Sequence, residues 1–298
     1  MKIVKYLKIN VFGMYAKRII FLVIFAVSGC LDVSNHDDDQ LTMELKAIDS
    51  YVTKATFKVV TSGNNSGIRI GISSFGAGAP PHDGQVVKAT YTGRLLSDWS
   101  IFETGTINDK LETIPVTGLR YGIESLPEGT VATIFIASNY GFGSTGSSKV
   151  PGNTTIAYEV TLEKVVKTAV ELTQFNSDTT AIHQYISDHT IEATKLPSGI
   201  WYSVKTAGTG VSPNIYDLVS FHYKGTILSS GVIFQQGEIS KQIIFGLIDG
   251  LKIGLPLIKT GTTATFYIPS GLAYGATGSS TIAANSNLIF EISLDAVE

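Results

Sequence analysis

The sequence predicts an α+β fold of two tandem domains, each an antiparallel β-sheet curled around one short helix. Residues 129–160 are repeated as residues 261–292, and each copy reads as a strand, a glycine-rich loop and a second strand. Runs of β-branched and aromatic residues elsewhere are typical of strands, and the body of each unit offers only one short helix. Because each unit has about 120 residues, the repeats are domains rather than turns of a solenoid.

Composition limits the class of protein. The 298 residues are 44% apolar and 16% charged, which suits one to three globular domains. Five basic residues and no acidic ones precede Cys30, so the remainder holds 17 basic and 25 acidic residues, a net charge of −8. Binding of nucleic acid requires a basic surface. We therefore expect no nucleic-acid partner.

The first thirty residues read as a targeting signal rather than as structure. A basic leader precedes the apolar run 19–27, which is too short to span a bilayer. Val27-Ser28-Gly29-Cys30 follows, and residues 1–29 resemble a bacterial lipoprotein signal peptide. The resemblance implies that Cys30 carries a lipid that anchors the protein to a bacterial membrane, facing the periplasm or the cell surface. The alternatives are a buried cysteine after a short helix and, for the start of translation, Met14 instead of Met1.

The segment after Cys30 is predicted to be a tether. Residues 30–40 are polar and end in three aspartates, which is typical of a solvated linker, although the acidic run could also be a sorting signal. We predict domain 1 over residues 41–166 and domain 2 over residues 167–298, with the boundary around residues 167–178. An apolar pattern predicts an amphipathic helix from residue 41 to about residue 59, and residues 181–186 repeat part of it.

Strand signals then follow in the same order in both halves, at a constant offset of 132 residues (Gly67 to Gly199, for example). The predicted strands of domain 1 are residues 86–91, 131–137 and 155–165, and those of domain 2 are residues 218–223, 264–268 and 287–297. The predicted short helices are residues 119–124 and 251–255. No net insertion separates the halves, so one fold should describe both.

Short motifs recur in order in both domains. Domain 2 carries His222-Tyr223-Lys224-Gly225, Phe234-Gln235, Gly250-Leu251, Leu272-Ala273-Tyr274-Gly275 and a last strand from Leu288 to Leu294, and domain 1 carries a counterpart of each, among them Tyr140-Gly141-Phe142-Gly143. In these motifs, over most of residues 60–298, the chain resembles the FKBP family, the macrolide-binding peptidyl-prolyl cis-trans isomerases.

The resemblance implies one pocket for a proline ring in each domain. In domain 2 it implies Tyr223, Phe234, Ile248, Leu251, Tyr274, Ile282 and Phe290, with the backbone N–H of Ile248 and the hydroxyl of Tyr274 bound to the peptide. In domain 1 it implies Tyr91, Phe102, Glu103, Val116, Leu119, Phe142, Val150 and Tyr158. Apart from the resemblance, such residues on strands are more often core than site.

The two pockets depart from the family pattern in different ways. Both have a leucine, Leu119 or Leu251, where the family usually has a tryptophan. Domain 2 keeps the tyrosine hydroxyl at Tyr274 but has Gln235 in place of an acid. Domain 1 keeps the acid, Glu103, but Phe142 cannot donate a hydrogen bond. We therefore predict that domain 2 is the better catalyst.

The predicted function is prolyl isomerisation in proline-containing client polypeptides that are exported. An X-Pro bond crosses a barrier of roughly 18–20 kcal/mol, and a dry pocket that favours the twisted amide is sufficient, so no cofactor or metal is expected. His222 should face away from Tyr223, at the surface. The alternatives are a non-catalytic chaperone or peptide-binding module and, from another class, a surface adhesion or scaffold protein. The oligomeric state stays open.

Overall fold

A computed structural model describes residues 36–55, 58–61 and 67–298. Domain 1 comprises α1 (His36–Lys54), β1 (Val59–Thr61), β2 (Ile68–Ser74), β3 (Val86–Leu95), β4 (Ile101–Lys110), α2 (Thr117–Glu124), β5 (Val131–Ile136) and β6 (Ile156–Val166). Domain 2 comprises α3 (Ala169–Asp188), β7 (Thr194–Lys195), β8 (Trp201–Thr206), β9 (Leu218–Ile227), β10 (Ile233–Ile243), α4 (Asp249–Gly254), β11 (Thr263–Ile268) and β12 (Leu288–Val297).

Each domain contains one six-stranded antiparallel sheet, and the two sheets have the same topology. The strand order is β1-β2-β5-β6-β3-β4 in domain 1 and, read from the same edge, β7-β8-β11-β12-β9-β10 in domain 2. The register is also repeated, since Tyr91 lies opposite Val160 and Tyr223 lies opposite Ile292. The predicted tandem α+β fold is confirmed.

The short helices α2 and α4 lie against one face of their sheets because glycines allow a close approach. A Cβ atom on Gly118 of α2 would lie 2.4 Å from the side chain of Ile136, and one on Gly250 of α4 would lie 2.5 Å from that of Ile268. Side chains larger than hydrogen would push the helices off the strands. Leu119 on α2 is buried in the core beneath the sheet as a result.

The long helices α1 and α3 cover the opposite face of each sheet. Ile48 and Val52 of α1 pack with Phe135 and Ala157. In domain 2, buried residues of α3 pack in the same way with Leu228, Tyr267 and Ile289. Both faces of the central strands are therefore buried, which explains why β5 lacks the alternation of a half-exposed strand.

The bounds of α1 differ from the sequence prediction at both ends. The helix begins at His36, so residues 36–40 of the predicted tether are helical, and it ends at Lys54 rather than near Val59. Helix-start geometry suits an acidic segment, because carboxylates such as that of Asp39 are favoured near the positive end of the helix dipole. Val59 instead pairs with Gly71 and begins β1.

The two domains meet over a short junction. Only Lys167 and Thr168 separate β6 from α3, and Thr168 caps α3: its hydroxyl accepts a hydrogen bond from the N–H of Glu171, whose carboxylate accepts one from the N–H of Thr168. Farther on, the hydroxyl of Tyr216 is hydrogen-bonded to the backbone of Ile72 in β2. Domain 2 is thereby fastened directly to the sheet of domain 1.

Cys30 and the predicted signal peptide lie outside the described residues. Within the part of the chain that the structure describes, none of the helices is both long enough and apolar enough to cross a membrane.

Candidate functional site

The structure places the seven residues predicted for the pocket of domain 2, here called the second pocket, in one hydrophobic cluster. They come from three strands, helix α4 with Ile248 just before it, and the loop of residues 269–287 that joins β11 to β12, here called pocket loop 2. Leu251, Ile282 and Phe290 are buried at its base. The remaining members are half-buried at its rim: Tyr223, Phe234, Ile248 and Tyr274.

Three aromatic rings form one wall of the second pocket. Phe234 meets Phe290 edge-on with ring centroids 5.7 Å apart, and Tyr223 lies 6.3 Å from Phe290. Gly225 makes room for this arrangement, because a Cβ atom there would lie 2.4 Å from the ring of Phe234. Edge-on packing fixes the ring orientations, so the wall is formed before a ligand binds.

Two hydrogen-bond donors border this wall without a protein partner. Among the described residues, no hydrogen bond uses the backbone N–H of Ile248 or the hydroxyl of Tyr274. Burial, followed by the hydroxyl of Tyr274, raises the pKa of Tyr223. The second pocket thus combines an apolar wall with free donors, as a peptide-binding site requires.

Internal hydrogen bonds and two glycines with positive φ define the shape of pocket loop 2. The carbonyl of Ser270 accepts from the N–H groups of Ala273 and Gly275, on either side of Tyr274. Gly275 and Gly278 have φ of 56° and 67°, a region that favours glycine. A Cβ atom on Gly278 would in addition lie 2.4 Å from the carbonyl oxygen of Ile282.

The residues predicted for domain 1, here called the first pocket, also come together, but their rings are packed against one another. Phe142 meets Phe102 edge-on at 5.9 Å, and Phe102 meets Tyr158 edge-on at 5.7 Å. Tyr91 meets Tyr158 at 5.6 Å. In the described part of domain 2, Tyr274 makes no such ring contact. The first pocket therefore differs from the second by one ring contact, that of Phe142 with Phe102. Val116, Leu119 and Val150 are buried beneath them.

Glu103 is engaged inside the first pocket. Its Oε1 accepts a hydrogen bond of 2.5 Å from the hydroxyl of the fully buried Tyr158. Burial and this bond raise the pKa of Tyr158 above its ordinary value. Domain 2 cannot form the pair, because Phe290 has no hydroxyl and Gln235 is exposed.

His222 lies on the opposite side of β9 from the pocket, as predicted. It is exposed, and its Nδ1 lies 2.7 Å from Oδ2 of Asp295. A solvated contact of this kind belongs to the protein surface rather than to the pocket.

Sequence reasoning missed two buried carboxylates next to the pocket loops. Asp178 of α3 and Glu44 of α1 are 3% and 5% exposed. Each accepts a hydrogen bond from the N–H of the serine that starts the loop after the central strand, Ser270 or Ser138. The sequence signal that both acids share is a Gln four residues earlier, Gln174 or Gln40.

A cavity of about 440 Å³ lies on the α3 side of pocket loop 2. Gln174, Phe175 and Asp178 line it together with Tyr274, whereas the rings of Phe234 and Phe290 do not. Tyr274 therefore stands between this cavity and the second pocket.

Each domain has an antiparallel sheet wrapped over a short helix and an aromatic cluster beside that helix, which defines a tandem α+β class of protein. A family model described as FKBP-type peptidyl-prolyl cis-trans isomerase matches residues 78–163 and 210–295. These segments make up more than half of the chain, which therefore belongs to this family.

Similar proteins include an FKBP-type peptidyl-prolyl cis-trans isomerase FkpA from Aeromonas hydrophila, 38% identical over 105 residues. The match covers 34% of this chain and 39% of that protein. The outer membrane protein MIP of Legionella longbeachae is 35% identical over 107 residues, which are 35% of this chain and 46% of that protein. The crystal structure of FkpA from Escherichia coli is 29% identical, covering 44% of this chain and 63% of that one with a TM-score of 0.38. This chain thus spans less than half the length of the two relatives named first.

Proposed function

We propose that the protein is a peptidyl-prolyl cis-trans isomerase and that the second pocket is its main catalytic site. The observation that carries the proposal is the pair of free donors, the N–H of Ile248 and the hydroxyl of Tyr274, beside the ring wall of Phe234 and Phe290. The donors suit the carbonyl oxygens of a peptide, and the wall suits a proline ring. No residue of the second pocket needs to ionise for this chemistry.

Catalysis follows from preferential binding of the twisted amide. When the X-Pro bond rotates, resonance is lost and the carbonyl no longer requires strong hydration. A dry aromatic wall therefore costs the transition state less than the planar ground state. A hydrogen bond from Tyr274 to a peptide carbonyl next to the rotating bond, where resonance is unchanged, holds the peptide against the wall and contributes about 0.5–1.5 kcal/mol, up to roughly tenfold in kcat/KM.

The first pocket is proposed to be the weaker site. Phe142 occupies the space beside Phe102 and brings no hydroxyl. A proline ring would have to displace this edge-on pair, and Glu103 is already engaged by Tyr158. Domain 1 then serves mainly to hold domain 2 and to bind clients weakly.

A protease-coupled assay on a proline tetrapeptide tests this proposal with a matched pair of variants. Phe234→Ala removes the wall of the second pocket, and Phe102→Ala makes the same change in the first. We expect the purified wild-type protein to accelerate cis-to-trans decay. We expect Phe234→Ala to lose about tenfold or more in isomerase activity, which corresponds to a lost wall contact of roughly 1.4 kcal/mol. We expect Phe102→Ala to change isomerase activity by less than about twofold.

The alternative is a non-catalytic chaperone or peptide-binding module. Leu251 at the base of the second pocket gives less aromatic contact than a tryptophan would, which favours binding over catalysis. This alternative predicts suppressed aggregation of an unfolded polypeptide without any faster prolyl decay. A wild-type protein with that pair of results would overturn the isomerase proposal.

We further propose that the protein is anchored by a lipid on Cys30 and assists folding of exported proteins. The support is the basic and apolar leader before Cys30, together with a relative named as an outer membrane protein. Uncatalysed prolyl isomerisation takes tens of seconds or more and can limit folding. Metabolic labelling with a radioactive fatty acid should mark the wild type and not Cys30→Ala. Equal labelling of both would contradict the anchor.

A further inference from the structure

We infer that Asp178 is a positioning residue for the proposed active site: its buried carboxylate holds the start of pocket loop 2, and through it the hydroxyl of Tyr274, in place. This inference rests on the proposed isomerase function of the second pocket. Asp178 is on α3, a helix on the opposite face of the sheet from α4, and it does not belong to the pocket itself.

The carboxylate of Asp178 collects donors from both the loop and the helix. Its Oδ2 accepts hydrogen bonds from the N–H of Ser270 at 3.0 Å and from the hydroxyl of Ser270 at 2.6 Å. Its Oδ1 accepts from Nε2 of Gln174, one turn earlier on α3, at 2.7 Å. Asn287, at the other end of pocket loop 2, joins the cluster by donating to the backbone carbonyl of Asp178. Both ends of the loop are thus tied to one residue.

Ser270 is in turn hydrogen-bonded to the residues on either side of Tyr274. The carbonyl of Ser270 accepts from the N–H groups of Ala273 and Gly275, at 3.0 and 2.9 Å. The two residues that flank Tyr274 are therefore bonded to the residue that Asp178 holds. Hydrogen bonds to a charged acceptor are stronger than those between neutral groups, especially when buried. Asp178 and Ser270 are 3% and 1% exposed, so these bonds are shielded from bulk water, and the N–H of Ser270 is also shared with Oδ1 of Asn287 at 3.0 Å.

Domain 1 repeats the arrangement with a longer acid. Oε2 of Glu44 accepts from the N–H of Ser138 at 2.6 Å, and its Oε1 accepts from Nε2 of Gln40 at 2.6 Å. The carbonyl of Ser138 accepts from Gly141 and Gly143, which flank Phe142. Because Phe142 carries no hydroxyl, the same anchor in domain 1 positions a residue that donates nothing. Glu44 is therefore a natural control for Asp178.

The test uses the full-length protein and two readouts, amide hydrogen exchange of pocket loop 2 and kcat/KM on a proline tetrapeptide. We expect Asp178→Ala to speed hydrogen exchange of residues 270–275 about tenfold. A tenfold ratio corresponds to roughly 1.4 kcal/mol, an energy near the low end of the range for a hydrogen bond to a charged group. Exchange in β11 should stay unchanged. Asp178→Asn keeps a neutral acceptor for Ser270 and should give an exchange rate between that of Asp178→Ala and that of the wild type.

Activity separates positioning from plain structural support. If Asp178 acts through Tyr274, Asp178→Ala lowers kcat/KM several-fold in the wild type but has no further effect in a Tyr274→Phe background. Glu44→Ala should speed exchange of the equivalent loop in domain 1 and leave kcat/KM unchanged. Additive losses, or faster exchange throughout domain 2, would overturn the positioning role.

The test remains decisive if the wild type is inactive or if Asp178→Ala does not fold. If wild type shows no isomerase activity, the proposed function fails, and local exchange in Asp178→Ala still decides whether the carboxylate holds the loop. If Asp178→Ala does not fold, Gln174→Ala replaces it, because this change at a half-buried position removes only the donor to Oδ1. Faster exchange confined to residues 270–275 supports the anchor, and unchanged exchange contradicts it.

Discussion

The hydrogen bond between Tyr158 and Glu103 gives a quantitative prediction for the first pocket. The bond is 2.5 Å long, its donor is fully buried, and Glu103 is half-buried. A bond to a charged group contributes about 1.5–3 kcal/mol. In Tyr158→Phe, the carboxylate of the half-buried Glu103 can be hydrated in part. We therefore expect a loss at the lower end of this range, about 1.5 kcal/mol in the free energy of unfolding of domain 1. Glu103→Ala strands the hydroxyl in the core and should cost about 1–3 kcal/mol.

A double-mutant cycle isolates the bond from the other effects of each change. Once Glu103 is alanine, replacing Tyr158 by phenylalanine removes an unpaired buried hydroxyl and should cost nothing, so the coupling energy is about 1.5 kcal/mol. Native-state hydrogen exchange of β6 is the appropriate assay, because a two-domain chain need not unfold in one step. Exchange in β12 is the internal control. A coupling energy near zero would refute the assignment of Glu103 to a structural bond.

Three further changes test other parts of the structure. Burial raises the pKa of Tyr158 above the ordinary value of 10.0. The stabilising contribution of Tyr158 is therefore complete below pH 10 and is lost as the pH rises further. Alkaline unfolding followed by hydrogen exchange of β6 should show this loss in the wild type and not in Tyr158→Phe. Thr168→Ala removes the cap of α3 and should destabilise the helix by about 1 kcal/mol, with Thr168→Ser as the control, measured by exchange at its first turn. Gly225→Ala places a methyl group against the ring of Phe234 and should lower the free energy of unfolding by about 1–3 kcal/mol, measured with denaturant. It should also weaken peptide binding; unchanged peptide affinity would contradict the role of Phe234 in the wall of the second pocket.

The repeat made most of the fold predictable. The offset of 132 residues aligns Tyr91 with Tyr223, and the structure gives both the same register. The strands that contain Phe102 and Phe234 were not predicted as strands, because their residues are largely polar and exposed at the sheet edge. The end of α1 was placed too late because Val59 continues an apolar pattern but pairs with Gly71 in a strand.

The identity of the pocket residues was predictable from motif order, but their ring packing and hydrogen bonding were not. Nothing in the sequence tells that Phe142 packs edge-on against Phe102 while Tyr274 makes no ring contact among the described residues. The role of Asp178 depends on a bond to Ser270, 92 residues later in the chain, which no local pattern encodes. Long-range hydrogen bonds of this kind appear only when the helix is docked on its sheet.

Isomerase activity of the wild type beside Tyr274→Phe and Phe142→Tyr is the most direct test of the central claim, that the second pocket is the catalyst. We expect Tyr274→Phe to lose up to roughly tenfold in kcat/KM, since it deletes one free donor. Phe142→Tyr should change activity little, because its ring stays packed on Phe102. An unaffected Tyr274→Phe variant, or a loss confined to changes in domain 1, would contradict the account.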